Sequence, residues 1–214
     1  MSNLSSLNST IVLILMMANC SYSYQSGLQH SRVINEVFKP QEIEDLTNLL
    51  HFFESQICEL SHKNETNIQA CYKGYRELRE TAHLRSTLDL NISYNKQLEL
   101  YERMDPSTID ALWTHYKTIF HHNNQADTLQ ELTYELNGPY VQFLKELGRS
   151  NTIINDYYET LVATGGISPA MEGMVMYDLI DSKLDKVEVR LMIAIHFLTI
   201  NDNTHKLSRA LNGG

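Results

Sequence analysis

Basic residues are scarce in this chain. Its 17 lysines and arginines stand against 26 aspartates and glutamates, a formal net charge of −9 and a pI near 5.4. Without a basic stripe to neutralise phosphates, nucleic acid is excluded as the expected partner. No polybasic cluster is present to grip anionic lipid. Long apolar runs are lacking near the N-terminus: residues 11–18 (IVLILMMA) form a run of eight, where a membrane span needs about 20. With 4 prolines and 9 glycines, the chain has no low-complexity tract. No repeat recurs at a spacing of ~20–50 residues, so a solenoid is not expected. Catalytic signatures are missing as well. There is no Gly-x-Ser-x-Gly and no His-Glu-x-x-His, and Gly165-Gly166-Ile167-Ser168 lacks both the P-loop lysine and dinucleotide-fingerprint spacing.

What is there suits one globular domain. The 214 residues are 43% hydrophobic and include 12 tyrosines, too apolar and aromatic for disorder. The first twenty residues carry no charged side chain. A polar leader, the apolar run and small residues beyond it match a secretory signal peptide. Two processing routes fit. Cleavage after Cys20 or Ser23 leaves small residues at the usual positions. Alternatively, Met17-Ala18-Asn19-Cys20 makes Cys20 a lipidation site, with the polar residues 21–31 as a spacer. This layout of the first thirty residues resembles that of bacterial envelope lipoproteins. The expected organisation is a signal at 1–20, a flexible linker at 21–38 and a single all-α domain at 39–214. Such a protein would be secreted or held in the cell envelope, meeting membrane only through a lipid on Cys20.

The cysteine count then becomes informative. Of the 3 cysteines, Cys20 leaves the thiol pool by either route, and an exported chain meets an oxidising compartment. Cys58 and Cys71 remain. Residues 40–61 place Ile43, Leu46, Leu49, Leu50, Phe53, Ile57 and Leu60 at helical spacing, with Pro40 suited to the first turn. After the polar break His62-Lys63-Asn64-Glu65, a second helical pattern runs from 66 to 82. Two helices joined by a short loop form an antiparallel hairpin. Cys58 and Cys71 lie almost equally far from the centre of the break, so the spacing predicts a disulfide across the hairpin.

Downstream, helices are expected over 106–121, 126–137, 139–147, 153–163, 169–180, 183–200 and 204–211. Asp105-Pro106 and Ser168-Pro169 read as cap and first-turn pairs. Gly138, Gly148 and Gly165-Gly166 read as stops, as do Asn123-Asn124 and Asn201–Asn203. The alternation Val187, Val189, Leu191, Ile193, Ile195 also suits a strand, but a lone strand among helices has no partner, so helix is expected. The fold class is all-α: an irregular bundle of eight to ten helices with an N-terminal disulfide-linked helical hairpin.

Candidate chemistry is thin. Glu59/His62 and Glu80/His83 form two Glu-x-x-His motifs, like those of di-iron bundles. The hairpin register separates them by ten residues, or ~15 Å, too far for metals ~4 Å apart. His115, His121 and His122 read as polar residues on and beyond a helix C-terminus. Met171, Met174, Met176 and Met192, with the apolar-helix His196, could line a pocket for a small apolar ligand, although methionines also serve as core filler. Asn64 and Asn91 head glycosylation sequons. No cofactor and no metal is expected. The leading functional expectation is a non-enzymatic binding module for an unknown protein or surface polymer. The second is an apolar-ligand carrier, and the third a His- or carboxylate-dependent enzyme.

The mature protein should have a mass lower by two protons than its reduced form, and its N-terminus should start at or just beyond residue 20. Intact-mass and N-terminal analysis check both; a full-mass chain with free thiols would contradict them.

Overall fold

The structure, a computed structural model, describes residues 27–63, 67–84, 90–122 and 125–212. The expected signal peptide, Cys20 and Asn64 lie outside these residues. The described helices are α1 (Arg32–Val37), α2 (Pro40–Leu60), α3 (Ile68–Leu84), α4 (Tyr94–Arg103), α5 (Pro106–Leu112), α6 (Pro139–Gly148), α7 (Thr152–Thr164), α8 (Pro169–Gly173), α9 (Ile180–Ser182) and α10 (Val187–Asn212). Two strands, β1 (Trp113–His122) and β2 (Gln125–Tyr134), pair antiparallel between α5 and α6. A π-helical turn, Met174–Leu179, joins α8 to α9. The multi-helix, mostly helical class expected from the sequence is present.

The hairpin of α2 and α3 is closed as its spacing predicts. Cys58 and Cys71 are bonded, with Cα atoms 4.6 Å apart. Closing a loop of this size contributes roughly 3 kcal/mol on the chain-entropy model. A disulfide belongs to an oxidising compartment. Among the described residues no helix is long and apolar enough to cross a membrane. The end of α2 shows how the turn is made. His62 adopts a left-handed φ of 54°; its N–H donates to Glu59 O and the Lys63 N–H donates to Cys58 O. That pair of bonds satisfies carbonyls the helix would otherwise leave open. Gly74 lets the two helices close together, because a Cβ there would sit 2.7 Å from the Ser61 Cβ.

Helix α10 lies at the centre. Val189, Leu191–Ile195, Phe197 and Leu198 are buried, as expected for a helix apolar nearly all round. Phe197 stacks on Phe53 of α2, with ring centroids 6.0 Å apart, and meets the edge of Tyr75 of α3 at 5.5 Å. A partly buried ion pair ties the same elements: Arg190 donates to Glu54 at 2.8 Å, and Tyr72 adds a hydrogen bond to the same carboxylate at 3.1 Å.

Three expectations are corrected. Residues 27–38, assigned to a flexible linker, are folded. Leu28, Ile34 and Phe38 are buried in the core, and Ser31 caps α1 while donating to Glu188 at 2.5 Å. Apolar burial outweighs the polar composition of this stretch. Second, α10 starts at Val187 and runs through Asn201–Asn203 without a break. Those polar side chains bond to neighbouring elements instead of ending the helix.

The third correction is the largest. Only 106–112 is helical in the expected 106–121 helix, and 126–137 is not helical at all. Thr114, Tyr116, Thr118, Ile119 and Phe120 are β-branched or aromatic, types that lose rotamer freedom in a helix and fit a pleated surface. Asn123-Asn124, a pair suited to tight turns, separates the strands. Pairing runs from Trp113 opposite Tyr134 to His122 opposite Gln125. His121 and His122 therefore close a strand, where they were expected at and beyond the end of a helix.

Gly74→Ala should lower unfolding free energy by about 1–3 kcal/mol, the range for overpacking. Gly173→Ala, where a Cβ meets nothing within 4 Å, should not destabilise. Urea unfolding of both variants checks this.

Candidate functional site

The polar residues of α10 form a row that seats the β-hairpin. Thr199 accepts from the Trp113 indole N–H at 2.8 Å and donates to Ile195 O at 2.7 Å. Asn201 donates to Gln97 Oε1 at 2.8 Å, and Gln97 donates to Leu198 O at 2.9 Å, which binds α4 to the row. Asp202 pairs with Lys206 at 2.5 Å and accepts from Tyr94 at 3.3 Å. Asn203 is the residue that reaches the sheet. Its Oδ1 accepts from the Leu132 N–H at 2.7 Å and its Nδ2 donates to Leu132 O at 2.9 Å. The side-chain amide thus pairs with β2 as a neighbouring strand would.

The base of the hairpin is buried, and most of the described residues further out are exposed. Trp113, Leu132 and Tyr134 belong to the core. Tyr134 packs on Tyr140 of α6 at 4.7 Å, and Thr133 donates to Gly165 O at 3.4 Å. Further out, His115, Tyr116 and Lys117 are exposed. Tyr116 is 59% exposed and Ile119 69%, the two highest among the large apolar side chains on the described surface. An isolated ribbon is marginal in water; here its anchored end supplies the stability that lets the other end stand clear.

His196 lies in the core beside the hairpin base. Its Nδ1 is 3.0 Å from the Tyr157 hydroxyl, and its ring meets those of Tyr157 and Phe197 edge-on. Burial pushes this imidazole down to about 3, because a charged ring without water is disfavoured. Burial likewise raises the tyrosines around it, Tyr134 to about 12 and Tyr140 and Tyr157 well above their ordinary value. At neutral pH this is a cluster of uncharged polar groups. A neutral imidazole held by a tyrosine hydroxyl is a packing element of the interior.

The four methionines do not gather around one opening. Met171, Met176 and Met192 are buried in the core, and Met174 packs against it. Only Met176 of these also borders a cleft of about 220 Å³, whose wall includes Arg79, Glu80, Glu172 and Tyr177. Arg79 and Glu172 form an ion pair at 3.1 Å, and Arg76 pairs with Asp181 beside it. The chemistry of this wall is ionic. The Glu-x-x-His motifs are also dispersed. Glu59 accepts from Gln56 at 3.5 Å, Glu80 pairs with Arg76 at 3.6 Å, and His62 supplies the turn after α2. Among the described residues no group of three or more His, Cys, Asp or Glu side chains is arranged to hold a metal ion.

The class defined by this geometry is a mostly helical, disulfide-linked domain bearing one anchored β-hairpin. No family model matches the chain, and neither a curated protein nor a solved structure matches it. Tyr116, Ile119 and Asn203 are the residues that sequence reading missed. The available signal was the cluster of β-branched and aromatic residues ahead of Asn123-Asn124.

The buried histidine makes stability depend on acid. Unfolded, the ring protonates near its ordinary 6.5; folded, only near 3. Between these values the unfolded chain holds the extra proton. The contribution is therefore complete above pH 6.5 and is lost as pH falls towards 3, at up to roughly 1.4 kcal/mol per pH unit. His196→Gln should flatten this acid limb by the equivalent of one proton; denaturant unfolding from pH 7 to 4 measures it. Equal slopes in both proteins would contradict the assignment.

Proposed function

We propose that this chain is an exported binding module whose contact surface is the outer half of the hairpin β1–β2. One observation carries the reading: a ribbon anchored by its base to the central helix presents Tyr116 and Ile119 to solvent. Tyr116 and Ile119, on opposite faces of the ribbon, are the most exposed large apolar side chains on the described surface, and a tyrosine supplies contact area with few rotors to freeze. The disulfide supports placement in an oxidising compartment. The signal-like first twenty residues and the lipidation option at Cys20 extend this to secretion or attachment at the envelope. The partner is a protein.

A photo-reactive phenylalanine placed at Tyr116 or at Ile119 in the native host should form a stoichiometric adduct with one protein. The same probe at Leu78, which is 44% exposed on α3, should not. Absence of any adduct at the hairpin positions, or equal capture at Leu78, would overturn the assignment.

A further inference from the structure

The hydrogen bonds of Asn203 fix which way every backbone group in the hairpin points. Leu132 stands opposite His115, and its N–H and C=O both turn away from β1 to Asn203. In an antiparallel ladder such non-bonded pairs alternate with bonded ones. The pairs of His115 with Leu132, Lys117 with Gln130 and Ile119 with Thr128 are therefore the non-bonded kind. On β1, His115, Lys117 and Ile119 aim their N–H and C=O groups away from β2. Among the described residues these groups meet no partner, and all three residues are exposed. The β2 edge is occupied at Leu132, whereas this stretch of β1 is open.

The side chains along the open edge have a sign. Strand β1 carries Lys117 and three histidines and no acidic residue. His115, Lys117 and Ile119 share a face with Leu132, Gln130 and Thr128, a stretch without a carboxylate. Glu131 stands opposite Tyr116, on the other face. There Thr118 donates to Glu131 beside the exposed Tyr116 ring. A strand laid along this edge would meet a lysine and a histidine on one face and an aromatic ring on the other.

We propose that the edge of β1 from His115 to Ile119 takes up an extended acidic segment of a protein partner as a third strand. The proposal rests on the binding-module reading and names the chemistry of its partner. Main-chain bonds to His115, Lys117 and Ile119 hold the segment, and alternate side chains select it. Acidic residues fall beside Lys117, and apolar ones beside Tyr116. A second copy of this chain fits poorly, because β1 against β1 would set one basic strand beside another, and a lysine on an edge discourages such pairing.

The full chain, labelled with 15N, would be titrated with a capped octapeptide of alternating valine and glutamate, and with the same peptide carrying lysine for glutamate. Ile119→Pro removes an edge N–H without touching the bonds to β2, a position where a strand tolerates proline. Its fold would be verified by circular dichroism and Trp113 fluorescence. The glutamate peptide should shift the amides of residues 115–119 saturably, and rising salt should weaken it. The lysine peptide and Ile119→Pro should each bind at least about tenfold more weakly, and Lys117→Glu should reverse the peptide preference. Shifts confined to other residues, equal binding of both peptides, or a dimer that Ile119→Pro dissolves would overturn strand addition. Native photo-adducts at Tyr116 that persist in Ile119→Pro, with no peptide binding, would overturn strand addition while leaving the binding-module reading intact. Absence of hairpin adducts in the chain without the proline substitution would overturn that reading.

Discussion

One side-chain amide sets the geometry on which the functional reading depends. Asn203, more than halfway along the central helix, bonds both backbone groups of Leu132. A helix and a strand have no common hydrogen-bonding pattern, so sheets usually meet helices through apolar faces alone. Here an asparagine presents a donor and an acceptor at peptide-like spacing and closes the edge of β2. Because backbone direction alternates along a strand, fixing it at Leu132 fixes it throughout the ribbon. The grip also works in the other direction. It gives the asparagine a use inside a helix, where its side chain otherwise competes with the backbone.

The remainder of the domain makes that position firm. The disulfide and Gly74 bring α2 and α3 together, and the hairpin packs Phe53, Tyr72 and Tyr75 against α10. Glu54 is buried and Arg190 partly so; removing the arginine would leave the buried carboxylate without its charge partner, a loss that typically costs about 3–5 kcal/mol. Thr199, Asn201 and Asp202 then link α10 to Trp113, Gln97 and Tyr94. Each buried polar side chain in this row has a defined partner, so the helix holds one rotational setting about its axis. A looser core would let Asn203 drift from Leu132 and free the second edge of the ribbon.

Much of this was legible in the sequence where local chemistry acts alone. Pro40 begins α2, Asp105 caps α5 by accepting from Ser107, and Gly165 ends α7 at a φ of 71°. The symmetric placement of Cys58 and Cys71 about a polar break was enough to give their bond. The ribbon was not legible, for a physical reason. His115, Tyr116, Lys117 and Ile119 are exposed on both faces of the ribbon, so this stretch lacks the two-residue hydrophobic alternation of a half-buried strand. Trp113, Tyr116 and Phe120 happen to fall at helical spacing. Asn201–Asn203 misled in the opposite sense, since three polar residues in a row read as a stop when their tertiary partners are unknown. The pocket expected near Met171, Met174, Met176, Met192 and His196 rested on residue type, and residue type does not distinguish a lining methionine from a buried one.

The central claim is the alternation of backbone direction in the ribbon, and amide hydrogen exchange on the free protein tests it most directly. Leu132, held by Asn203, should be protected together with Tyr116, Thr118 and Leu129, whose N–H groups face across the ladder. His115, Lys117 and Ile119 should exchange far faster than their immediate neighbours. Uniform protection along β1, or slow exchange at His115, Lys117 and Ile119 with fast exchange at Tyr116 and Thr118, would contradict the account.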